Sequence, residues 1–255
     1  MQLSTEELQN QKLNPETLEL AVQQIRNNGV MTFESVLSQD LIERINTAYL
    51  PLYEAFIQNP GETFGKNHFR VYVPFEEPFI DLSVICSPFV IPVMEALLGD
   101  DLVCHYLATN TCAPGSDYQP AHSDYRILFP EADVAVPPFH IVLNIPLVDV
   151  TLENGATEYW AGGTHRLNIP FGEVDDIAKH MKSDYATMPA GSLMMRDGRM
   201  WHRGTNNRSN GIRPQIAIVY TRPWVDMGVR IDIPAETYDK LPEKARHIFR
   251  EENIT

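Results

Sequence analysis

Two segments of the chain carry side chains whose types and spacing suit a metal ion. The first is His122-Ser123-Asp124. Residues two apart in an extended segment point to the same face, so the imidazole and the carboxylate can converge on one ion. A His-x-Asp arises easily by chance, and this pair alone is a weak signal. The second segment contains His202, which follows the apolar stretch Ser192–Arg196. Two histidines and one carboxylate can hold Fe(II) on one face and leave three coordination positions open.

An arginine extends this pattern toward a second ligand. Arg213 comes eleven residues after His202, at the start of the apolar stretch Gln215–Thr221. A 2-oxoacid can occupy two of the open metal positions and leave the third for O₂. The distal carboxylate of such a co-substrate needs a cation, and arginine offers a fixed two-pronged donor.

The combined pattern resembles the phytanoyl-CoA dioxygenase family of Fe(II)- and 2-oxoglutarate-dependent oxygenases. That family has a His-x-Asp, a distal histidine in an H-x-x-x-x-N-x-S/T context, and an arginine about eleven residues later. The positions that match this pattern are His122, Asp124, His202, Asn207, Ser209 and Arg213.

Two further segments support the resemblance. Glu153-Asn154-Gly155 followed by Gly162-Gly163-Thr164-His165 is similar to the family's "E-N-G … P-G-S-H" segment. Residues 28–41 are similar to its opening helix–strand–helix. Each motif is weak by itself, but their combination is specific.

The resemblance implies a mainly β fold, a double-stranded β-helix (jelly roll, cupin-like) with flanking helices. It implies a metal centre made by His122, Asp124 and His202. Fe(II), 2-oxoglutarate and O₂ are then the cofactor and co-substrates, with ascorbate as an accessory reductant. The implied reaction is hydroxylation, or another oxidation, of an unactivated C–H bond of a small metabolite, with release of succinate and CO₂.

More residues are expected around the co-substrate and the substrate. Many family members have a serine two residues after the distal histidine, whereas here Gly204 takes that place and Thr205 follows it. Trp201 either shields the iron or fills the core, and Arg126 either binds an anionic substrate group or lies exposed. The expected 2-oxoglutarate site comprises Arg213, Asn144, Thr205 and Ser209, and the expected substrate site comprises Arg126, Tyr125, Arg70 and Trp201.

Three other functions compete with this interpretation. A halogenase of this type replaces the carboxylate ligand by Ala or Gly, and the presence of Asp124 argues against it. A zinc enzyme with the same ligands would give Arg213 no role. The alternative from another class is a non-catalytic metal- or ligand-binding member of the same fold, since fold alone does not establish chemistry.

The elements that must position these residues can be outlined from the sequence. Asn14-Pro15 predicts a helix start and Gly29 its end. Ser38 opens a second helix, and a third is predicted over Ile91–Leu98. The predicted strands are Val30–Phe33, Leu102–Cys112, Phe139–Val148, Thr157–Trp160, Ser192–Arg196 and Gln215–Thr221, with one helical insertion over Phe171–Met181.

The domain expectation follows from this order. We expect a single oxygenase domain over residues 1–255, with a helical part over about residues 1–100, a β-helix core over about 101–224 and a C-terminal tail. Several short strands without regular intervening helices favour an antiparallel sandwich or barrel over a parallel α/β fold.

Composition restricts partners and compartment. The net charge of −14 makes nucleic acids and anionic membrane surfaces poor partners, so a small-molecule substrate is expected. No apolar run approaches the roughly 20 residues that span a bilayer. The first residues lack the basic start and apolar stretch of a signal peptide. Three cysteines, an odd number, favour free thiols in a reducing compartment, and a cytoplasmic location is predicted.

Overall fold

The computed structural model describes residues 1–61, 63–125, 127–129, 131 and 136–255. Helices dominate before residue 100, and strands dominate between residues 103 and 221. The α-helices are α1 (Thr5–Asn10), α2 (Pro15–Asn28), α3 (Gln39–Gln58), α4 (Leu82–Ile85), α5 (Ile91–Leu98), α6 (Val174–Ala178), α7 (Ala235–Lys240) and α8 (Glu243–Ile248). The strands are β1 (Val30–Phe33), β2 (His68–Tyr72), β3 (Val103–Cys112), β4 (His140–Pro146), β5 (Glu158–Tyr159), β6 (Asp184–Tyr185), β7 (Leu193–Asp197), β8 (His202–Arg203), β9 (Arg213–Thr221), β10 (Asp232–Ile233) and β11 (Asn253–Ile254).

The two long N-terminal helices begin and end at residues that suit helix termini. α2 begins at Pro15 after an extended Asn14, since the first turn leaves its N–H groups without intrahelical partners and proline loses nothing there. It ends at Gly29, whose φ of 83° is a left-handed conformation that glycine adopts without strain. α3 follows Ser38, whose hydroxyl accepts a hydrogen bond from the N–H of Leu41 at 3.2 Å. These bounds, and those of β1 and α5, confirm the predicted elements.

Six antiparallel strands form the larger sheet, in the order β1-β7-β4-β9-β3-β2. Its outer face packs on the helices: Leu107, Leu143 and Ile218 share one buried core with helical residues such as Ile25 and Val93. This core covers one side of the sheet with apolar side chains, and the polar side chains of the same strands are left for the inner face.

Register places the polar residues of the inner face beside one another. A β-bulge in β3 shifts its pairing with β9 between Cys104 and Tyr106. Beyond the bulge Asn110 lies opposite Gln215, and Cys112 lies opposite Arg213. Residues directly opposite in a sheet share a face, so this register brings four polar side chains to one end of the inner face.

A smaller sheet of three strands, in the order β6-β5-β8, carries the other half of the site. Its strand β8 contains His202, and an isolated β-bridge adds His122 beside it. The antiparallel two-sheet arrangement confirms the predicted mainly β jelly-roll fold with flanking helices.

Some elements differ from the prediction. Besides the predicted β1, the region before residue 100 contains a second strand, β2, which joins the larger sheet as an edge strand. The predicted insertion Phe171–Met181 is a 3₁₀ turn over Phe171–Glu173 followed by α6. The C-terminal tail folds into α7, α8 and the parallel pair β10–β11.

Two observations bear on the expected compartment. Cys86, Cys104 and Cys112 are free thiols. In the part of the chain that the structure describes, no helix combines the length and the apolar character that crossing a membrane requires. The cytoplasmic location stays a prediction.

Candidate active site

Two histidines are held side by side by reciprocal backbone hydrogen bonds. The N–H of His122 donates to the carbonyl of His202 at 2.9 Å, and the N–H of His202 donates back at the same distance. Asp124 is fixed by its own N–H, which donates to the carbonyl of Gly198 at 2.7 Å. The candidate ligand atoms of the three side chains lie within 4.8 Å of one another, close enough for one ion.

Both imidazoles present the same nitrogen to this point. Nδ1 of His122 lies 2.8 Å from the carbonyl oxygen of Pro120, and Nδ1 of His202 lies 2.9 Å from that of Met200. A carbonyl only accepts, so each Nδ1 donates, and in a neutral imidazole Nε2 is then the nitrogen that can bind a metal. Metal-binding histidines are commonly oriented by such a hydrogen bond from the other ring nitrogen.

His122 and Asp124 are held in the protonation states that a metal requires. Burial, with the neighbouring His202 adding to it, lowers the pKa of His122 to about 4, so this imidazole is neutral at pH 7. Burial alone would raise the pKa of Asp124, but Arg196 and His202 outweigh it and the pKa lies well below its usual range. A metal therefore displaces no proton from either group at neutral pH.

Arg196 forms an ion pair with the carboxylate of Asp124. Its Nη2 lies 2.6 Å from Oδ2, while Oδ1 of the same carboxylate lies 3.4 Å from Nε2 of His202. The Nε of Arg196 donates to Oδ1 of Asn144 at 3.3 Å. Its side chain is only 7% exposed whereas that of Asp124 is 30% exposed, so the pair joins a buried cation to a partly exposed carboxylate.

The metal site opens into a cavity of about 360 Å³ between the two sheets. Its described lining includes three arginines, Arg70, Arg196 and Arg213, and a single carboxylate, Asp124. Within a chain of net charge −14 this is a local cationic site. Such a cavity favours an anionic ligand next to the metal.

Arg213 is buried on the cavity wall with unused hydrogen-bonding capacity. It is 4% exposed, and its Nη2 donates to the carbonyl of Gly155 at 2.9 Å. Among the described residues its Nε has no hydrogen-bond partner. Burial lowers the pKa of this guanidinium, although arginine stays protonated in proteins. A buried cation with a free donor suits a carboxylate.

These residues fit Fe(II) and a 2-oxoacid. The donor set is two imidazoles and one carboxylate on the same side of the cavity, the facial arrangement of non-haem Fe(II) oxygenases. The buried arginine on the same cavity wall supplies the charge that the distal carboxylate of a 2-oxoacid requires.

A protein-family comparison agrees with this geometry. The model of the phytanoyl-CoA dioxygenase family matches residues 25–215, most of the chain. The chain belongs to the phytanoyl-CoA dioxygenase family. The resemblance inferred from the motifs is thereby confirmed.

Individual relatives support the same family. Dioxygenase af480 of Aspergillus fumigatus is 28% identical over 172 residues, which are 66% of this chain and 53% of the relative. The chain thus spans about half the length of that relative. AviO1 from Streptomyces viridochromogenes superposes with a TM-score of 0.64 at 20% identity, covering 84% of this chain and 99% of AviO1. SnoK, a non-haem α-ketoglutarate-dependent carbocyclase from nogalamycin biosynthesis, superposes with a TM-score of 0.61 at 20% identity, covering 84% of this chain and 85% of SnoK. At these identities the two structures show the shared fold.

Of the other residues predicted from the family pattern, two line the cavity. Asn144 is buried there, with its amide oxygen on Arg196. Arg70 lines it as well, with its guanidinium 4.1 Å from the ring centroid of Phe64 and 5.3 Å from that of Tyr106. Both positions are compatible with the predicted roles, which stay predictions.

Thr205 and Ser209 are placed elsewhere. The hydroxyl of Thr205 donates to the carbonyl of Ala156 at 2.8 Å, and that of Ser209 donates to Oδ1 of Asn207 at 2.7 Å. Neither residue is among those that line the cavity. These hydroxyls order the loop between β8 and β9, and their predicted roles toward 2-oxoglutarate stay predictions.

The predicted substrate residues Tyr125 and Trp201 line a different, much smaller cavity of about 40 Å³. The Tyr125 ring lies against Phe139, with centroids 5.0 Å apart, and Trp201 is buried in an apolar cluster with Trp160. Trp201 therefore fills the core, the second of its two predicted roles. Arg126 lies outside the described residues.

Gly204, where many relatives have a serine, is tightly enclosed in this chain. A Cβ at this position would lie 2.7 Å from Oε1 of Gln119 and 2.8 Å from Cε1 of His68. The backbone N–H of Gln119 donates to the carbonyl of Gly204 at 2.9 Å, and the N–H of Gly204 donates to Oε1 of Gln119 at 2.7 Å. Both neighbours line the cavity, so Gln119 and His68 occupy the space of the missing serine.

Sequence reasoning missed Arg196, Gln119, His68 and Cys112, all of which line the cavity. Burial raises the pKa of the Cys112 thiol, but a hydrogen bond from His68 and the charge of Arg213 lower it below its ordinary value. One signal in the sequence could have identified Arg196: it is a charged residue at the end of an otherwise apolar predicted strand.

Proposed function

We propose that this chain is an Fe(II)- and 2-oxoglutarate-dependent dioxygenase that oxidises an unactivated C–H bond of a small metabolite, releasing succinate and CO₂. One observation carries the proposal: the buried guanidinium of Arg213 shares a cavity with the His122, Asp124 and His202 ligand set. A metal enzyme that uses only a bound water would have no use for that cation. A dicarboxylic co-substrate that chelates the metal does need it, because its distal carboxylate requires a cationic partner.

Each group of the chain has a defined task in this function. His122, Asp124 and His202 hold the metal through Nε2 and carboxylate donors and leave its other face to ligands. Arg213 orients the co-substrate by its distal carboxylate. The bound Fe(II) supplies activation of O₂, chemistry that no amino-acid side chain provides. The surrounding wall fixes what can approach the metal.

The cavity supports a small-molecule substrate. Its volume of about 360 Å³ is at the lower end of the range of roughly 300–1,000 Å³ that small-molecule sites occupy. Exposed aromatic rings lie at its edge, Phe64 and Phe171. They offer an apolar surface to the part of a substrate that projects from the cavity.

Thermal unfolding tests the binding half of the proposal. 2-Oxoglutarate should raise the Tm of the chain when Mn(II) is present and much less when metal is absent, because two of its donor atoms need the ion. At about 100 times Kd, ligand binding adds about 2.7 kcal/mol to the free energy of unfolding. Glutarate, which lacks the 2-oxo group, is the matched control and should give a smaller shift. Equal shifts with and without metal would contradict the proposal.

Succinate formation tests the catalytic half. Fe(II), O₂ and 2-oxoglutarate should give a low basal rate of succinate release, and a screen of metabolites should find compounds that raise it. A chain that binds 2-oxoglutarate with metal but never forms succinate would be the non-catalytic binding member of the fold.

A further inference from the structure

We propose that Arg196 is a positioning residue that restricts Asp124 to one metal bond. By holding Oδ2, it leaves only Oδ1 to face the ion. This inference rests on the proposed function, since it concerns the coordination positions that 2-oxoglutarate and O₂ need.

The contacts of Arg196 define the orientation of the carboxylate. Nη2 lies 2.6 Å from Oδ2 of Asp124, and Nε donates to the Asn144 amide oxygen at 3.3 Å. Nη1 lies 3.5 Å from Nδ1 of His202, the nitrogen that donates to Met200, so this third approach is a packing contact. The guanidinium is therefore held between Asn144 of the large sheet and two members of the ligand set, Asp124 and His202.

Counting coordination positions shows the consequence. A six-coordinate ion with three monodentate protein ligands keeps three positions, two for a 2-oxoacid and one for O₂. A carboxylate that binds through both oxygens would take a fourth position. Either the chelation of the co-substrate or access of O₂ would then be lost. The pairing of Oδ2 with Arg196 prevents this.

Metal affinity and stability are both weaker explanations of the ion pair than orientation of the Asp124 carboxylate. A guanidinium beside the ligand set repels a divalent cation, so it opposes metal binding. Buried ion pairs are also weak evidence for stability, because apolar replacements are often neutral or stabilising. A role in orienting the ligand accounts for a buried cation in this position.

Binding measurements with Mn(II) and 2-oxoglutarate test the proposal. In Arg196→Met, the Mn(II) affinity, followed by the magnetic resonance signal of the free ion, should tighten or change by less than about threefold. The affinity of the Mn(II)-loaded protein for 2-oxoglutarate, measured by calorimetry, should fall by about tenfold or more, because a second bound carboxylate oxygen would compete for a position that the co-substrate chelates. Arg196→Lys keeps a cation on Oδ2 and should recover most of the loss. Should Arg196→Met fail to fold, Arg196→Gln replaces it.

Arg222→Met is the matched control. Arg222 is a half-buried arginine with main-chain partners, the carbonyls of Pro138 and Leu97 at 2.8 and 2.9 Å. Its loss should leave both affinities unchanged. Wild-type affinity for 2-oxoglutarate in Arg196→Met would overturn the inference, as would a Mn(II) affinity weakened more than about tenfold. A wild-type chain that binds no 2-oxoglutarate with Mn(II) would instead remove the proposed function.

A double-mutant cycle with Asp124→Asn separates this role from direct contact with 2-oxoglutarate. An amide binds a metal through its single oxygen, so Arg196 has no second carboxylate oxygen to restrain. At saturating Mn(II), Arg196→Met should then change 2-oxoglutarate affinity by less than about threefold in the Asp124→Asn background. An undiminished loss in that background would mean that Arg196 touches the co-substrate itself, and the positioning role would be rejected.

Discussion

The backbones of His122 and His202 exchange two hydrogen bonds of 2.9 Å, so the two residues are held side by side by their main chains and not by their imidazoles. The bridge closes the gap between two segments eighty residues apart in the sequence. Removing an imidazole should consequently leave the bridge intact, and loss of metal binding can be distinguished from loss of fold.

His122→Ala and His202→Ala should each abolish Fe(II)-dependent succinate formation and weaken Mn(II) binding by about 10²-fold or more. Circular dichroism should show the wild-type content of secondary structure. His180→Ala, at an exposed histidine, is the control and should retain activity. Full activity in either of the first two variants would remove that residue from the ligand set.

Local patterns predicted the helices and the candidate ligand pair His122 and Asp124 because their causes are local. Pro15 and Gly29 define α2 by backbone conformation, and the two-residue spacing of His122 and Asp124 fixes a shared face. Arg196 is different. Its ion pair with Asp124 joins β7 to a segment 72 residues earlier, and such pairing follows from register that a sequence does not display.

Side-chain direction was the second limit of sequence reasoning. Thr205 follows the position of the family serine, but its hydroxyl turns to the carbonyl of Ala156. Trp201 directly precedes His202, so its side chain points to the opposite face of the extended segment, where it fills the core. Strand β8 is only two residues long, too short for an alternating pattern to be recognised.

Stability should depend on pH through His140. Burial lowers the pKa of this histidine from 6.5 to about 4. The unfolded chain therefore takes up the proton first, and the free energy of unfolding of the metal-free protein should fall as pH drops from about 6.5 to about 4. His140 should contribute on the order of 3 kcal/mol over that window. Urea unfolding at a series of pH values measures it.

His140→Gln should make this pH dependence shallower, whatever its effect on stability at pH 7. Part of the pH dependence should remain in this variant, because burial also lowers the pKa of His122 to about 4. His180→Gln, at an exposed position, should keep the wild-type slope. A slope unchanged in His140→Gln would show that His140 does not titrate in this window.

Asp124→Gly should stop hydroxylation and open a metal position that a halide can enter. It also leaves the buried cation of Arg196 without its partner, and an uncompensated buried charge costs about 3–5 kcal/mol. Chloride should therefore raise the Tm of Asp124→Gly more than that of the wild type, at matched ionic strength with sulfate. Hydroxylation at the wild-type rate would show that Asp124 is not a ligand.

Gly204→Ala should destabilise the chain by about 1–3 kcal/mol, because the added Cβ overpacks a wall made by Gln119 and His68. Displacement of these residues into the cavity should also weaken 2-oxoglutarate binding. Gly211→Ala is the control, since a Cβ there meets nothing within 4 Å. Urea unfolding and calorimetry measure both effects, and wild-type stability in Gly204→Ala would show that Gln119 and His68 yield without cost.

Arg213→Ala should raise the apparent KM for 2-oxoglutarate by about 10²-fold or more, since losing a partner from a buried charge pair costs about 3–5 kcal/mol. Metal affinity should change little, because the arginine is not a ligand. Arg213→Lys should recover only part of the loss, as an ammonium cannot make the two-pronged pairing. Arg208→Ala, at an exposed arginine of the same loop, is the control and should keep the wild-type KM.

A shorter co-substrate separates the Arg213 interaction from metal chelation. Pyruvate retains the 2-oxoacid group but lacks the distal carboxylate, so the wild type should use it poorly. Arg213→Ala has lost the group that recognises this carboxylate, and it should discriminate less between the two compounds. A KM series for both co-substrates in wild type and variants gives the comparison. An unchanged KM for 2-oxoglutarate in Arg213→Ala would place the carboxylate anchor at another cavity cation, with Arg70 the next to substitute.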